Sequence, residues 1–210
     1  LMDQHGVSRL IPFETLSDRP DCVSLIQRYS GESLQNPKSG PGKENPKTSR
    51  WVPYSIEKII KTEDDNVVVE LVVENKSDKP LRYQLGWHPA FRSRGDLDNE
   101  KFMINGGRTY TLRDVLEHSA NHGALKLKNT NSVWYEDKKT KKGIYLTTEG
   151  FEHIMLWTPS KDAGMFCIEP VTNIPGPIEN RLSFNDGEYR TLELSKKDSF
   201  KIVIKPFQLS

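Results

Sequence analysis

Alternation of apolar and polar residues is the dominant pattern along this chain. A period of two is typical of β-strands that bury one face. The alternation predicts strands at 66–75, 81–87, 143–149, 152–158, 164–170, 190–195 and 199–207. Turn-forming segments such as "NKSDKP" and "FNDGEY" separate neighbouring strands. Several short strands joined by turns favour an all-β sandwich.

Three segments break this pattern. The segment 51–66, "WVPYSIEKIIKTEDDN", fits a helix or a strand, and we interpret its front half as a strand because "TEDDN" then forms a hairpin into 66–75. The segment 112–118, "LRDVLEH", predicts a short helix. Residues 30–50 are rich in Pro, Gly, Ser, Asn and Lys. That composition predicts an exposed, poorly ordered loop.

Composition narrows the class of protein. A chain of 210 residues suffices for one good-sized domain, which we place over 1–210. The 30 basic and 29 acidic residues balance, whereas nucleic-acid surfaces carry a basic excess. No apolar run is long enough to span a membrane, and "LMDQHGVSRL" lacks the regions of a signal peptide. Cys22 and Cys167 make no disulfide framework, so we expect two free thiols and a cytoplasmic location. Neither cysteine has a CxxC or His partner at zinc-ligand spacing.

The histidines fall into two groups. Three lie among polar residues and are interpreted as surface or hydrogen-bonded side chains: His118, His122 and His153. His5 lies in "QHGVSR", where Gly6 allows a tight turn and Arg9 offers a planar guanidinium for hydroxyls, carboxylates or phosphates. A structural turn explains the motif equally well.

His88 lies at the end of a predicted strand, between Trp87 and Pro89. The proline favours an extended backbone at His88. A rigid, extended His beside an aromatic ring suits a catalytic or binding site, with Trp87 as a substrate contact. A core His bonded to a carbonyl has equal weight on these residues alone.

Glu169 follows an apolar strand and precedes a proline in "GMFCIEPVTNIPGP". A carboxylate at the end of a buried strand needs partners, or its pKa rises towards that of a base working near neutral pH. A Glu that merely marks the strand end is as good an explanation. Trp157, in "MLWTPS", is a candidate stacking surface for a sugar ring or a core residue.

Four segments occur in a family-like order: "HGVSR", "YQLGWHPAF", "IMLWTP" and "FCIEP". Together they resemble the aldose 1-epimerase (galactose mutarotase-like) family, and most of all its LacX-type branch, whose patterns are similar to HGFAR, GxHPAF and CxEPW. The resemblance extends from His5 to Phe207 and implies a β-supersandwich that binds hexoses in an open cleft. It also implies that Glu169 is the catalytic base, that His88 is the acid, and that His5 and Arg9 bind the substrate.

The implied reaction is mutarotation of a hexose or a hexose phosphate. A base removes the proton of the anomeric hydroxyl while an acid protonates the ring oxygen, and the roles reverse when the ring closes on its other face. We therefore expect His88 and Glu169 on opposite sides of the sugar, with a sugar-sized gap between them. The resemblance implies no cofactor and no metal.

The chain also departs from the family pattern. The HG-x-x-R segment stands at its beginning, whereas family members carry several more strands before it. The sequence thus predicts a sandwich lacking its N-terminal strands, with an open sheet edge covered by a missing segment or a partner chain. Val171 replaces a Trp, and 30–50 resembles an insertion. Two alternatives remain open, a non-catalytic carbohydrate-binding module and a structural β-domain.

Overall fold

The structure, a computed structural model, describes residues 6–36, 39, 47–174 and 189–209. Within these ranges the chain is mostly strand, with one α-helix, α1 (Leu112–His122), and short 3-10 helices at Val7–Leu10 and Lys161–Ala163. The strands are β1 (Glu14–Arg19), β2 (Cys22–Tyr29), β3 (Leu34–Gln35), β4 (Thr48–Ser49), β5 (Tyr54–Glu63), β6 (Asn66–Asn75), β7 (Leu81–Tyr83), β8 (Ala90–Arg92), β9 (Glu100–Ile104), β10 (Thr109–Thr111), β11 (Leu125–Leu127), β12 (Ser132–Asp137), β13 (Lys142–Glu149), β14 (His153–Trp157), β15 (Met165–Val171), β16 (Arg190–Leu192) and β17 (Lys197–Gln208). The predicted all-β class is confirmed.

Most strands predicted from alternation are confirmed. β6 has the predicted bounds, and β13, β14, β15 and β17 differ from prediction by one or two residues at their ends. Two predictions are wrong in their second half. The strand at 81–87 ends at Tyr83, and the strand at 190–195 ends at Leu192, because a turn with a left-handed Ser195, φ 57°, follows it.

The connection between β5 and β6 is a two-residue turn. Asp64 and Asp65 have φ angles of 47° and 65°. Positive φ at both central residues is the signature of a type I′ hairpin turn, which matches the right-handed twist of the flanking strands. The predicted strand in the front half of 51–66 and its hairpin are thereby confirmed, with β5 extending to Glu63.

One compact unit comprises Leu1–Lys61, Glu70–Tyr83 and Pro175–Ser199. Within it β2 pairs in antiparallel fashion with β1 and with β5, and β7 pairs with β16. β3 and β4 form a short antiparallel ribbon at the two ends of the segment 30–50. Residues 37–38 and 40–46 lie outside the described residues, so the poor order expected of this segment stays a prediction.

The other unit comprises Thr62–Val69, Gln84–Ile174 and Phe200–Ser210. Here β17, β13, β12, β9 and β10 pair in that order, and a second sheet has the order β11-β14-β15-β8. Phe102 on β9 and Phe166 on β15 are completely buried, with ring centroids 5.1 Å apart. The two sheets of this unit therefore pack face to face around an aromatic core, as in a sandwich.

The helix α1 begins and ends where its sequence dictates. Thr111 and Asp114 form a reciprocal capping box at its start, and Gly123, with φ 74°, follows its last residue. The helix is one turn longer than predicted and buries Leu112 and Val115. In the described part of the chain, no helix has the length and apolar character that a bilayer span requires.

Candidate active site

β15 carries core side chains on one face and polar side chains on the other. Phe166 and Ile168 are completely buried in the core. Cys167 and Glu169 alternate with them and lie on the opposite face. Trp157 on β14 is directly opposite Cys167 in the antiparallel register, so it shares that face.

The chain before β8 brings His88 to the same face. Gly86 bridges to the last residue of β15, and Ala90 pairs with Cys167. These two pairs belong to the same antiparallel register, and in that register His88 is the residue opposite Glu169. The proline after His88 has no N–H for the ladder, which explains why β8 begins only at Ala90. The Trp-His-Pro cluster thus lies where an edge strand meets β15.

The His88 and Glu169 side chains are in contact. His88 Nε2 lies 3.3 Å from Glu169 Oε1, with the imidazole side chain 40% exposed and the carboxylate 8% exposed. The Trp157 ring meets the imidazole edge-on, with centroids 6.3 Å apart at 75°. The arrangement is a buried carboxylate beneath a half-open imidazole, flanked by an indole.

Burial controls the charge of this site. Removal from water raises the pKa of Glu169 to about 7, because the ionised carboxylate loses hydration. Burial, and then the negative charge of Glu169, raise the pKa of the Cys167 thiol to about 12. Burial of Glu169 within β15 thus brings the pKa of its carboxyl close to neutral pH, the range in which a proton-transfer group works best.

The sugar-sized gap expected between His88 and Glu169 is contradicted by the 3.3 Å contact. Directly opposed residues on neighbouring strands have Cβ atoms only about 5 Å apart, so their side chains meet rather than enclose a ligand. The two side chains therefore lie together on one face of β15.

Cys167 is a site residue that the sequence analysis did not select. Its Sγ, a ring nitrogen of His88 and a carboxylate oxygen of Glu169 all lie within 4.8 Å of one another. These three atoms are the group that could hold a metal ion in the described residues. The signal in the sequence was the spacing of two residues between Cys167 and Glu169 on one strand.

Arg9 belongs to the first unit, in the 3-10 helix Val7–Leu10, and is exposed. Gly6 before it has φ 62°, so the predicted tight turn is present. The buried Gln27 holds this segment on β2 by donating to the carbonyls of Ser8 and Ile11 at 2.8 and 2.6 Å. His5 lies outside the described residues, and the substrate roles of His5 and Arg9 stay predictions.

The other selected residues have local partners. Trp87 is half-buried and donates its backbone N–H to the carbonyl of Pro170 at 3.0 Å, and its substrate role stays a prediction. His118 contacts the carbonyl of Gly123 at 2.9 Å, and His153 Nδ1 accepts from the N–H of Asn129 at 3.1 Å. The expectation that these two histidines are surface or hydrogen-bonded residues is confirmed.

Comparison with known proteins gives matches at the level of structure. No protein-family model and no curated protein matches the sequence. A galactose mutarotase-like protein from Lactobacillus casei superposes with a TM-score of 0.75 at 19% identity, over 98% of this chain and 76% of its own. A galactose mutarotase related enzyme from Lactobacillus acidophilus gives a TM-score of 0.73 at 16% identity, over 100% and 75%.

A third structure, with lower sequence identity, has the same fold. An aldose epimerase homologue from C. elegans superposes with a TM-score of 0.64 at 12% identity, over 94% of this chain and 69% of its own. At sequence identities this low, structural similarity shows a shared fold, and all three structures have the same fold as this chain. The chain therefore has the galactose mutarotase-like β-sandwich fold that its sequence motifs predict.

Proposed function

We propose that the chain is an aldose 1-epimerase-like enzyme of the LacX type, which interconverts the α and β anomers of a hexose or hexose phosphate. One observation carries the proposal: the half-exposed His88 contacts the buried Glu169 at 3.3 Å. Glu169 removes the proton of the anomeric hydroxyl, and His88 protonates the ring oxygen.

The close spacing of the pair suits this chemistry. In a pyranose, the anomeric hydroxyl and the ring oxygen are bonded to the same carbon atom. Two neighbouring proton-transfer groups can therefore serve both oxygens from one side of the sugar. After ring opening and rotation, the same two groups return the protons in the reverse sense.

The ionisation of Glu169 supports the same assignment. A base is most effective when its pKa lies near the working pH, and burial raises the pKa of Glu169 to about 7. The Trp157 ring beside His88 offers an apolar surface on which a sugar can stack. Arg9, His5 and Trp87 are proposed to bind the sugar hydroxyls or a phosphate. No cofactor enters these steps.

The test is NMR exchange spectroscopy or polarimetry on glucose, galactose and their 6-phosphates. Glu169→Gln keeps the shape of the side chain and removes the base, so catalysed mutarotation should fall by roughly 10²–10⁴-fold while sugar binding survives. His88→Asn should act similarly. The control is Glu149→Gln, an exposed carboxylate at the end of β13.

Two outcomes count against the proposal. Wild-type turnover in Glu169→Gln on every sugar would exclude the assigned base. Sugar binding with no turnover in the wild type would assign the non-catalytic carbohydrate-binding module instead. The one-domain organisation over 1–210, the absent N-terminal strands, the covered sheet edge and the cytoplasmic location stay predictions from the sequence.

A further inference from the structure

Three side chains of different chemistry converge beside the proposed acid–base pair. Cys167 and Glu169 are alternate residues on one face of β15, and His88 is opposite Glu169 on the neighbouring segment. Their Sγ, carboxylate oxygen and ring nitrogen lie within 4.8 Å of one another. The proposed acid–base mechanism uses His88 and Glu169 but does not involve the thiol of Cys167.

These atoms form a ligand set for a divalent metal ion. Zn²⁺ binds imidazole nitrogen, thiolate sulfur and carboxylate oxygen, and three protein ligands with one open position are typical of its reactive sites. We propose that His88, Cys167 and Glu169 form a zinc-binding site that competes with the acid–base function of the same face. The sequence spacing gave no zinc motif, because two ligands lie on β15 and the third lies far back in the chain.

The geometry needs little adjustment. Zinc–ligand bonds of about 2.0–2.3 Å in a tetrahedron separate neighbouring ligand atoms by about 3.5 Å. His88 Nε2 and Glu169 Oε1 already lie 3.3 Å apart. From the 4.8 Å limit, the thiol sulfur must approach its neighbours by about 1.3 Å at most, which a rotation of the cysteine side chain can supply.

The electrostatics of the site also favour a cation. Cys167 and Glu169 are both buried, with 1% and 6% exposure, and each binds a metal ion as an anion. A divalent ion supplies the missing positive charge and deprotonates the thiol that it binds. The 40% exposed imidazole of His88 lies at the open side, from which an ion can enter.

Occupation has a direct consequence for catalysis. A metal ion on His88 Nε2 and Glu169 blocks the lone pairs that carry the protons in mutarotation. Zinc should therefore inhibit mutarotation. As one of the three ligands, Cys167 should determine the zinc concentration at which inhibition occurs. The inhibition rests on the proposed function, whereas metal binding does not, so the two are measured separately.

Binding is tested on the full chain, kept reduced with a phosphine. Co²⁺ is titrated as a spectroscopic probe and Zn²⁺ by competition with a chromophoric chelator. We expect one Co²⁺ per chain with a sulfur-to-cobalt charge-transfer band. Cys167→Ser should remove the band and weaken Zn²⁺ binding by more than the roughly 10–100-fold that loss of an outer-sphere partner costs. Glu169→Gln should weaken binding while retaining the band, and Cys22→Ser, the matched control, should change neither.

A wild-type protein without a charge-transfer band, or Cys167→Ser with unchanged Zn²⁺ affinity, would overturn the site. For inhibition, Zn²⁺ should suppress mutarotation with the midpoint found for binding, and Cys167→Ser should shift that midpoint by at least about tenfold. Zinc binding without any mutarotase activity would leave the metal site standing and remove the proposed function. Activity that is insensitive to bound zinc would refute the competition.

Discussion

Burial of Glu169 has a cost that depends on pH. The pKa of this carboxyl rises from 4.5 to about 7 in the folded chain, because its ionised form is removed from water. Below pH 4.5 the group is protonated in both the folded and the unfolded states and has no effect. Between pH 4.5 and 7 the unfolded chain ionises first, which stabilises the unfolded state, so the free energy of unfolding falls as pH rises. Above pH 7 the loss is constant.

The magnitude follows from the pKa difference. A change from 4.5 to about 7 corresponds to about 3 kcal/mol of folding stability lost by neutral pH. We therefore expect the wild type to lose about 2–3 kcal/mol relative to Glu169→Gln between pH 4.5 and pH 8. At pH 8 the variant should be the more stable protein.

Urea unfolding followed by far-UV circular dichroism, at half-unit steps from pH 4.5 to 8, measures this difference. Glu149→Gln serves as the control for removal of an exposed carboxylate, and its curve should run parallel to the wild type. If the wild-type and Glu169→Gln curves stay parallel across this range, Glu169 ionises as it does in the unfolded chain. In that case burial does not tune the proposed base.

Three further predictions concern the stability of the unit that contains the candidate site. Tyr135→Phe removes the hydroxyl that donates to the buried Glu100 carboxylate at 2.8 Å, and should cost about 1.5–3 kcal/mol in chemical unfolding, the range for hydrogen bonds to charged groups. Gly143→Ala places a Cβ against the backbone carbonyl of Tyr135 and should cost on the order of 1–3 kcal/mol. In the control Gly107→Ala, the Cβ would meet only the carbonyl oxygen of Ile104, at an ordinary 3.7 Å, and stability should change by less than about 0.5 kcal/mol. Equal thermal midpoints for the two variants would contradict the packing. Asp65→Gly relieves a left-handed residue in the hairpin turn and should stabilise the chain by about 1 kcal/mol or less, measured as a higher urea midpoint.

Alternation predicted several strands that bury one face, although β9 and β12, which bury alternate residues in the same way, were not predicted. β6 and β13 alternate because one face of each is buried, and their bounds were found within one residue. β1 was missed because all six of its residues are exposed, so it has no apolar period to detect. The short β8 was missed because it follows a proline and contains three residues.

The candidate site was predictable residue by residue but not in its geometry. His88 and Glu169 were selected for their strand-end positions and their family-like motifs. Their contact depends on the antiparallel register between two segments about 80 residues apart, which no local pattern reports. The same register brings Cys167 to the pair. Gln27 was missed because a buried amide satisfied by backbone carbonyls looks like any polar strand residue in the sequence.

If Glu169 is the base proposed above, adjacent residues on the two faces of β15 should respond oppositely to substitution. Ile168 is completely buried in the core, so nearly every replacement there lowers the yield of folded protein and any activity with it. One position further on, replacement of Glu169 by a neutral residue should raise the yield while lowering the proposed turnover by roughly 10²–10⁴-fold. In a saturation mutagenesis scan that scores abundance and activity separately, substitutions at Ile168 would therefore lower abundance, whereas neutral substitutions at Glu169 would raise it. A lineage released from selection for catalysis would drift towards stability at Glu169 first, and its loss would mark the transition from an enzyme to a binding protein.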